Sequence, residues 1–200
     1  MPAQARSRNR RRHEDTEKDR PRRCADIMSL DIDSLIDALN TGSPGPVKAR
    51  FDFRGEITLI VDKNRISDIC RRLKDSFGFT YLADLTAVDY LEVKTPRYEV
   101  VYHVHRFGPE IDENRRLRLK AELDSDNPEI DSVTPIWSGA DWLEREVYDM
   151  FGIVFTGHPD LRRILMPEDY EPFPLRKDFD VRDREASKRS FERELRKGSE

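Results

Sequence analysis

Apolar residues recur along this chain with two periods, and the alternation between them outlines a fold. Ile32, Leu35, Ile36 and Leu39 fall at helical spacing behind Asp31, a good N-cap residue, so a helix is predicted over about 31–40, stopped by Gly42. A period of two follows. Val47, Ala49, Phe51 and Phe53 alternate with Lys48, Arg50 and Asp52, and Arg54-Gly55 turns the chain into Ile57, Leu59 and Val61. Helical spacing returns over 63–77, where Asp62 is the cap, Ile66, Ile69, Cys70, Leu73 and Phe77 share one face, and Gly78 is the stop. Strands are then predicted over about 79–90, 97–106 and 115–123, the last two joined by the loop 107–114. In the last strand Leu117, Leu119, Ala121 and Leu123 alternate with Arg116, Arg118, Lys120 and Glu122, so one face is wet. The order is helix, two strands, helix, three strands, with no repeated strand–helix–strand rhythm. That order predicts a two-layer α+β fold, a mostly antiparallel sheet with helices on one face.

The character changes after Pro128. Asp141-Trp-Leu-Glu144 has the spacing of a capping box and predicts a helix over about 141–151, with Leu143, Val147, Met150 and Phe151 on its apolar side and Gly152 at its end. On that helix Glu144 is placed four residues before Tyr148, and Arg145 four before Asp149. Residues 152–180 are dense in proline and glycine yet carry Phe155, Leu161, Ile164, Leu165, Met166, Tyr170, Phe173 and Leu175. Apolar side chains on an extended segment need a cover, and an arm lying on another protein supplies one. The expected organisation is a basic tail (1–25), an α+β body (26–138), a helix with a partner-binding arm (139–180) and a charged tail (181–200).

Charge sharpens that division. The 200 residues are 36% hydrophobic and 38% charged, with a net charge of −4. Residues 26–175 hold 18 basic and 29 acidic residues, whereas residues 1–25 hold nine basic and four acidic. No apolar run is long enough to cross a bilayer, and no apolar segment of the secretory type follows the basic start. Cys24 and Cys70 make neither a disulfide framework nor a metal motif, which points to a reducing, cytosolic compartment.

Signatures of chemistry are sparse. The glycines are spaced for neither nucleotide-binding fingerprint, and the absence of Cys-x-x-Cys argues against a cysteine-held iron–sulfur cluster. His103 and His105 share a strand face, but a metal site needs a third ligand. His158, before Pro159, suits a turn or cap, and a proton relay is the sharper alternative. Glu144, Glu146 and Asp149 resemble an acid–base set, although Arg145 among them favours ion pairing. Arg162-Arg163 and Arg176-Lys177-Asp178 fit either a solvated face or a charged interface. The arginines of residues 6–12 are suited to an anionic polymer or membrane surface, against which the acidic body would work.

Several separated blocks resemble one family. Glu144-Arg-Glu-Val-Tyr-Asp-Met-Phe-Gly-Ile153, Gly157-His-Pro-Asp-Leu-Arg-Arg-Ile-Leu165 and Phe173-Pro-Leu-Arg-Lys-Asp-Phe179 are similar to the signature of the C-subunit of NADH–quinone oxidoreductase, the relative of the thirty-kilodalton subunit of respiratory complex I. Leu82–Leu91, Arg97–Tyr102, Asp126–Glu129, Ser132-Val133 and Ile136-Trp137 extend the resemblance over about 30–180. Pro172 stands where the family commonly has Gly, and Asp180 where it commonly has Pro. The resemblance implies a two-layer α+β body with no catalytic residue, metal or redox cofactor of its own, FMN and iron–sulfur clusters lying in partner subunits of a proton-translocating enzyme. It implies an arm running over the D-subunit, beside the quinone cavity, near the iron–sulfur subunits and at the cytoplasmic face of the inner membrane. The expected contacts are Glu144, Arg145, Glu146, Tyr148, Asp149, Phe155, His158, Leu161, Arg162, Arg163, Tyr170, Arg176, Lys177 and Asp178. The alternatives are the equivalent subunit of a membrane-bound nickel–iron hydrogenase or another donor-linked complex, and a binding module for an anionic polymer.

Overall fold

The computed structural model describes residues 31–41, 45–110 and 113–180, with the single positions 182, 188, 189, 192 and 196. The basic tail, Gly42 and most of 181–200 lie outside the described residues. Helix α1 (Ile32–Leu39) starts where Asp31 accepts the N–H groups of Asp33 and Ser34, and it buries Leu35 and Leu39. Strands β1 (Val47–Phe53) and β2 (Glu56–Val61) form a hairpin. Arg54 and Gly55 both have positive φ, 51° and 79°, the left-handed pair that matches the twist of a two-residue hairpin. Asp62 then caps a short 3₁₀ turn, Lys63–Arg65, that leads into α2 (Ile66–Phe77), and Gly78 ends the helix at φ 75°.

Strands β3 (Tyr81–Asp89), β4 (Tyr98–Arg106) and β5 (Arg115–Leu123) complete a sheet of order β1-β2-β5-β4-β3. Every pairing is antiparallel except β2 with β5. Leu59, Val61, Val100, Tyr102, Leu117 and Leu119 point from one face onto Leu35, Leu39, Ile66, Ile69 and Leu73 of α1 and α2. The α+β architecture with helices on one face is therefore as expected. Two short strands without enough residues to show a period, β6 (Glu129–Asp131) and β7 (Val154–Thr156), pair in parallel beside this core. Between them α3 (Ala140–Phe151) adds Val147, Met150 and Phe151 to it.

Two local expectations are corrected. The alternation of β1 does not keep Val47 and the phenylalanines on one face. Val47 pairs with Val61, but Ala49 pairs with Ile60, so Lys48 is the extra residue of a bulge. Beyond it Phe51 and Phe53 turn to the side of the sheet that carries no helix, while Arg50 reaches Asp33 of α1. The capping box at α3 is also absent: Gly139 is the N-cap, with no side-chain cap bond. Glu144 cannot reach back because its carboxylate is held elsewhere.

Candidate docking site on α3 and the C-terminal arm

Helix α3 carries two carboxylates with fully buried side chains, and each organises a different loop. Glu144 accepts hydrogen bonds from Ser132 Oγ (2.6 Å), Val133 N (2.7 Å) and Thr134 Oγ1 (3.2 Å), tying down the turn before the helix. Burial pushes its carboxyl above the ordinary range, and these donors only partly oppose the rise. Asp149 faces the arm. Its Oδ2 accepts three successive backbone N–H groups, from Ile164 (3.0 Å), Leu165 (2.7 Å) and Met166 (2.8 Å), and its Oδ1 pairs with Arg163 at 2.6 Å. Burial alone would raise the Asp149 carboxyl, but this ring of donors outweighs it and holds the group below the usual carboxylate range.

Arg163 is the hub of the arm. Besides Asp149 it donates to the carbonyls of Glu171 and Pro172, and its guanidinium lies 5.0 Å from the Phe173 ring. The expected Arg145–Asp149 pair does not form, because the Asp149 carboxylate is turned onto Arg163 and the backbone N–H groups of Ile164, Leu165 and Met166. Arg145 donates instead to the carbonyls of Arg162 and Arg163 and stacks on Trp142 at 5.3 Å. His158 accepts Asp160 N–H at Nδ1 (3.0 Å), which leaves Nε2 to donate to the Asp141 backbone carbonyl (3.3 Å). That is the turn-forming role expected of it.

The far end of the arm is held by another buried carboxylate. Asp89, at the end of β3, is gripped by Arg97 through Nε (2.9 Å) and Nη2 (2.7 Å), and it also accepts Leu91 N–H and Lys177 N–H, both at 2.9 Å. Arg97 reaches on to Asp178 at 3.0 Å. Burial would raise the Asp89 carboxyl, but the Arg97 and backbone bonds keep it lowered. Leu175 N–H donates to Met150 O, Arg176 to Phe151 O, and the Arg176 guanidinium lies 4.3 Å from the Phe173 ring. Gly152 lies directly under this stack at φ 70°; a Cβ there would stand 2.6 Å from the Phe173 ring and 2.5 Å from Arg176.

The expected contact residues therefore divide. Glu144, Asp149, Phe155 and Tyr170 are buried within the chain, and Arg163 and Arg176 are engaged in holding the arm. Glu146, Arg162, Lys177 and Asp178 are exposed, Arg145, Tyr148 and Leu161 are half-buried, and the His158 imidazole is fully buried. Three residues of the site were not among those expected. Trp142 signals itself only by its position off the Leu143–Val147–Met150 stripe, and Asp89 and Arg97 lie in blocks of the family resemblance, with no spacing that pairs them with each other or with the arm. Among the described residues no group of three His, Cys, Asp or Glu is placed to hold a metal, and no helix is long and apolar enough to cross a membrane.

A sheet covered by helices on one face matches two solved structures. A trypsin-resistant fragment (1–134) of Nqo5 is 34% identical with a TM-score of 0.52, covering 56% of this chain and 89% of the fragment. A chain in an archaeal membrane-bound sulfane sulfur reductase superposes with a TM-score of 0.63 over 78% of this chain and 89% of its own, and at 24% identity shares the fold alone. Residues 59–185 match the family model described as respiratory-chain NADH dehydrogenase, 30 Kd subunit. Fold and family together define an α+β subunit of the respiratory-chain NADH dehydrogenase class. The NADH-quinone oxidoreductase C-subunit from Roseiflexus sp. (strain RS-1) is 46% identical over 154 residues, 76% of this chain and 85% of the relative. Its counterpart from Geobacter sulfurreducens is 48% identical over 139 residues, 68% of this chain and 83% of the relative. The chain belongs to the C-subunit family of NADH–quinone oxidoreductase.

Proposed function

We propose that this chain is a scaffold of the peripheral arm of the oxidoreductase, holding no redox cofactor and docking through α3 and residues 152–180 on the D-subunit, which forms the quinone cavity. In this reading FMN and iron–sulfur clusters in other subunits carry electrons from NADH to quinone. The chain reaches the cytoplasmic face of the membrane only through the complex. One observation carries the proposal: the arm's ionic groups hold the arm to its own body, while Trp142, Leu165 and Leu175 are left 62%, 63% and 52% exposed. An aromatic–arginine pair, here Trp142 with Arg145, is the composition of an interface hot spot, and the exposed leucines add apolar area for a partner to cover. Because the arm is ordered before docking, association avoids part of the entropy of ordering it.

The test is a tagged full-length chain in its own cells, purified with its partners and assayed for NADH oxidation. Leu165→Asp with Trp142→Ala is expected to lower partner recovery at least about tenfold, the loss of one or two hot-spot residues, while the melting temperature of the free subunit stays unchanged. Undiminished recovery overturns the docking assignment. Flavin or iron–sulfur absorbance in the isolated subunit overturns the cofactor-free role.

A further inference from the structure

The face of the sheet without helices carries a second apolar patch, created by the bulge at Lys48. Phe51 and Phe53 are 59% and 69% exposed there, beside Thr58 and Ile60 of β2. Phe51 and Lys48 line a groove of about 550 Å³ whose other side is formed by Arg118, Lys120 and the Lys94–Glu99–Glu122 cluster, and Phe53 continues the same face beyond it. The charges of this face are unevenly used. Glu99 is held by Lys94 and by Lys120 (2.8 Å), Glu122 by Lys94 (2.7 Å) and Glu56 by Arg118. Burial would raise the Glu99 carboxyl, but the two lysines hold it below the ordinary range. Three cations keep spare capacity. Among the described residues Lys48 makes no ion pair, Arg54 lies only against the Phe53 ring at 5.2 Å, and Arg116 is 3.8 Å from an already occupied Glu56.

Within a body of 18 basic and 29 acidic residues, the cations Lys48, Arg54, Lys94, Arg116, Arg118 and Lys120 around this groove outnumber its carboxylates Glu56, Glu99 and Glu122. We infer that this groove is a second docking surface, and that it receives an acidic segment with at least one apolar side chain from another subunit of the complex. The apolar side chain covers Phe51 and Phe53, and carboxylates complete Lys48 in the groove and Arg54 and Arg116 beyond its rim. Carboxylate is favoured as the anion because the same face already seats three glutamates on its lysines and arginine. The inference rests on the chain being a complex subunit, but not on the arm docking as proposed above. Together the two surfaces let one small chain bridge neighbours from opposite sides of its sheet.

The test places a photo-reactive residue at position 53 or, separately, at position 165 in the full-length chain, and irradiates the assembled complex. The joined peptides are identified by mass spectrometry. Position 53 is expected to join a peptide of another subunit that carries Asp or Glu. Adding Lys48→Glu and Arg54→Glu is expected to reduce that product about fivefold or more, since like charges then face each other. A product at 165 with none at 53 leaves the groove open to solvent and overturns the inference. So does a product at 53 with lipid, nucleic acid or a segment free of acidic residues. A product at 53 with none at 165 sinks the arm assignment and leaves this one standing, and products at neither position sink both.

Discussion

Glu144 and Asp149 are five residues apart on one helix, and both side chains are without solvent exposure, yet they sit on opposite sides of their ordinary acidity. The difference lies in their donors. Glu144 is served by two hydroxyls and one backbone N–H, which do not match the cost of its burial. Asp149 is served by three backbone N–H groups and a guanidinium, which exceed it. The first carboxyl shapes a turn of the body, where a neutral group of the same shape would do as well. The second holds an arm in place by charge, and only a charge will do.

This contrast can be broken experimentally, beginning with Asp149. Asp149→Ala strands Arg163 and frees residues 163–166, and is expected to cost about 3–5 kcal/mol, the range for removing one partner of a buried ion pair. Urea unfolding reads the loss, and trypsin should cut faster after Arg162 or Arg163. Gly152→Ala comes next, at about 3 kcal/mol, since a left-handed φ and an overpacked Phe173–Arg176 stack are both forced on it. Gly55→Ala gauges the conformational part alone: its φ is 79°, but nothing lies within 4 Å of the added Cβ. About 1–2 kcal/mol is expected there. Glu144→Gln is the smallest, within about 1 kcal/mol at neutral pH. Its amide oxygen keeps the Val133 N–H, and its NH₂ group turns the two hydroxyls into acceptors.

The two carboxyls also predict opposite responses to pH. Asp149 has a lowered folded pKa, so its stabilisation is complete above the unfolded value of about 4 and is lost as pH falls through the folded value. The gap between wild type and Asp149→Asn should close in acid. Glu144 has a raised folded pKa, so wild type loses stability as pH rises from about 4 through the folded value, and Glu144→Gln should gain relative to it. Chemical denaturation at pH 3.5 and pH 7 measures both gaps. A Glu144→Gln gap that moves in the same direction as that of Asp149→Asn would remove the distinction.

Much of the body is legible from period alone. The stripe Ile66–Ile69–Leu73 and the alternation Leu117–Leu119–Ala121 each have one buried face, and one face is what periodicity reports. The bulge in β1 is not legible, because inserting Lys48 leaves every later alternation intact and changes only which side it faces. The arm is legible through its proline-rich but apolar composition and its family resemblance. Its outward residues are not, because arginines that read as contacts for a partner turn back onto Asp149, Phe151 and Phe173. Which end of a long arginine is engaged depends on chain brought back from elsewhere, and spacing along one helix is silent about that.

The parallel register of β2 on β5 has a consequence for how the molecule assembles itself. Ile57 lies beside Leu117, sixty positions later, and β5 separates the β1–β2 hairpin from the β3–β4 hairpin. Each hairpin forms from near neighbours, but the two share no hydrogen bond until the middle strand arrives. On a ribosome that strand emerges last of the five. The sheet closes like a book whose spine is inserted after its covers, and the helix–arm segment emerges only after all five strands are out.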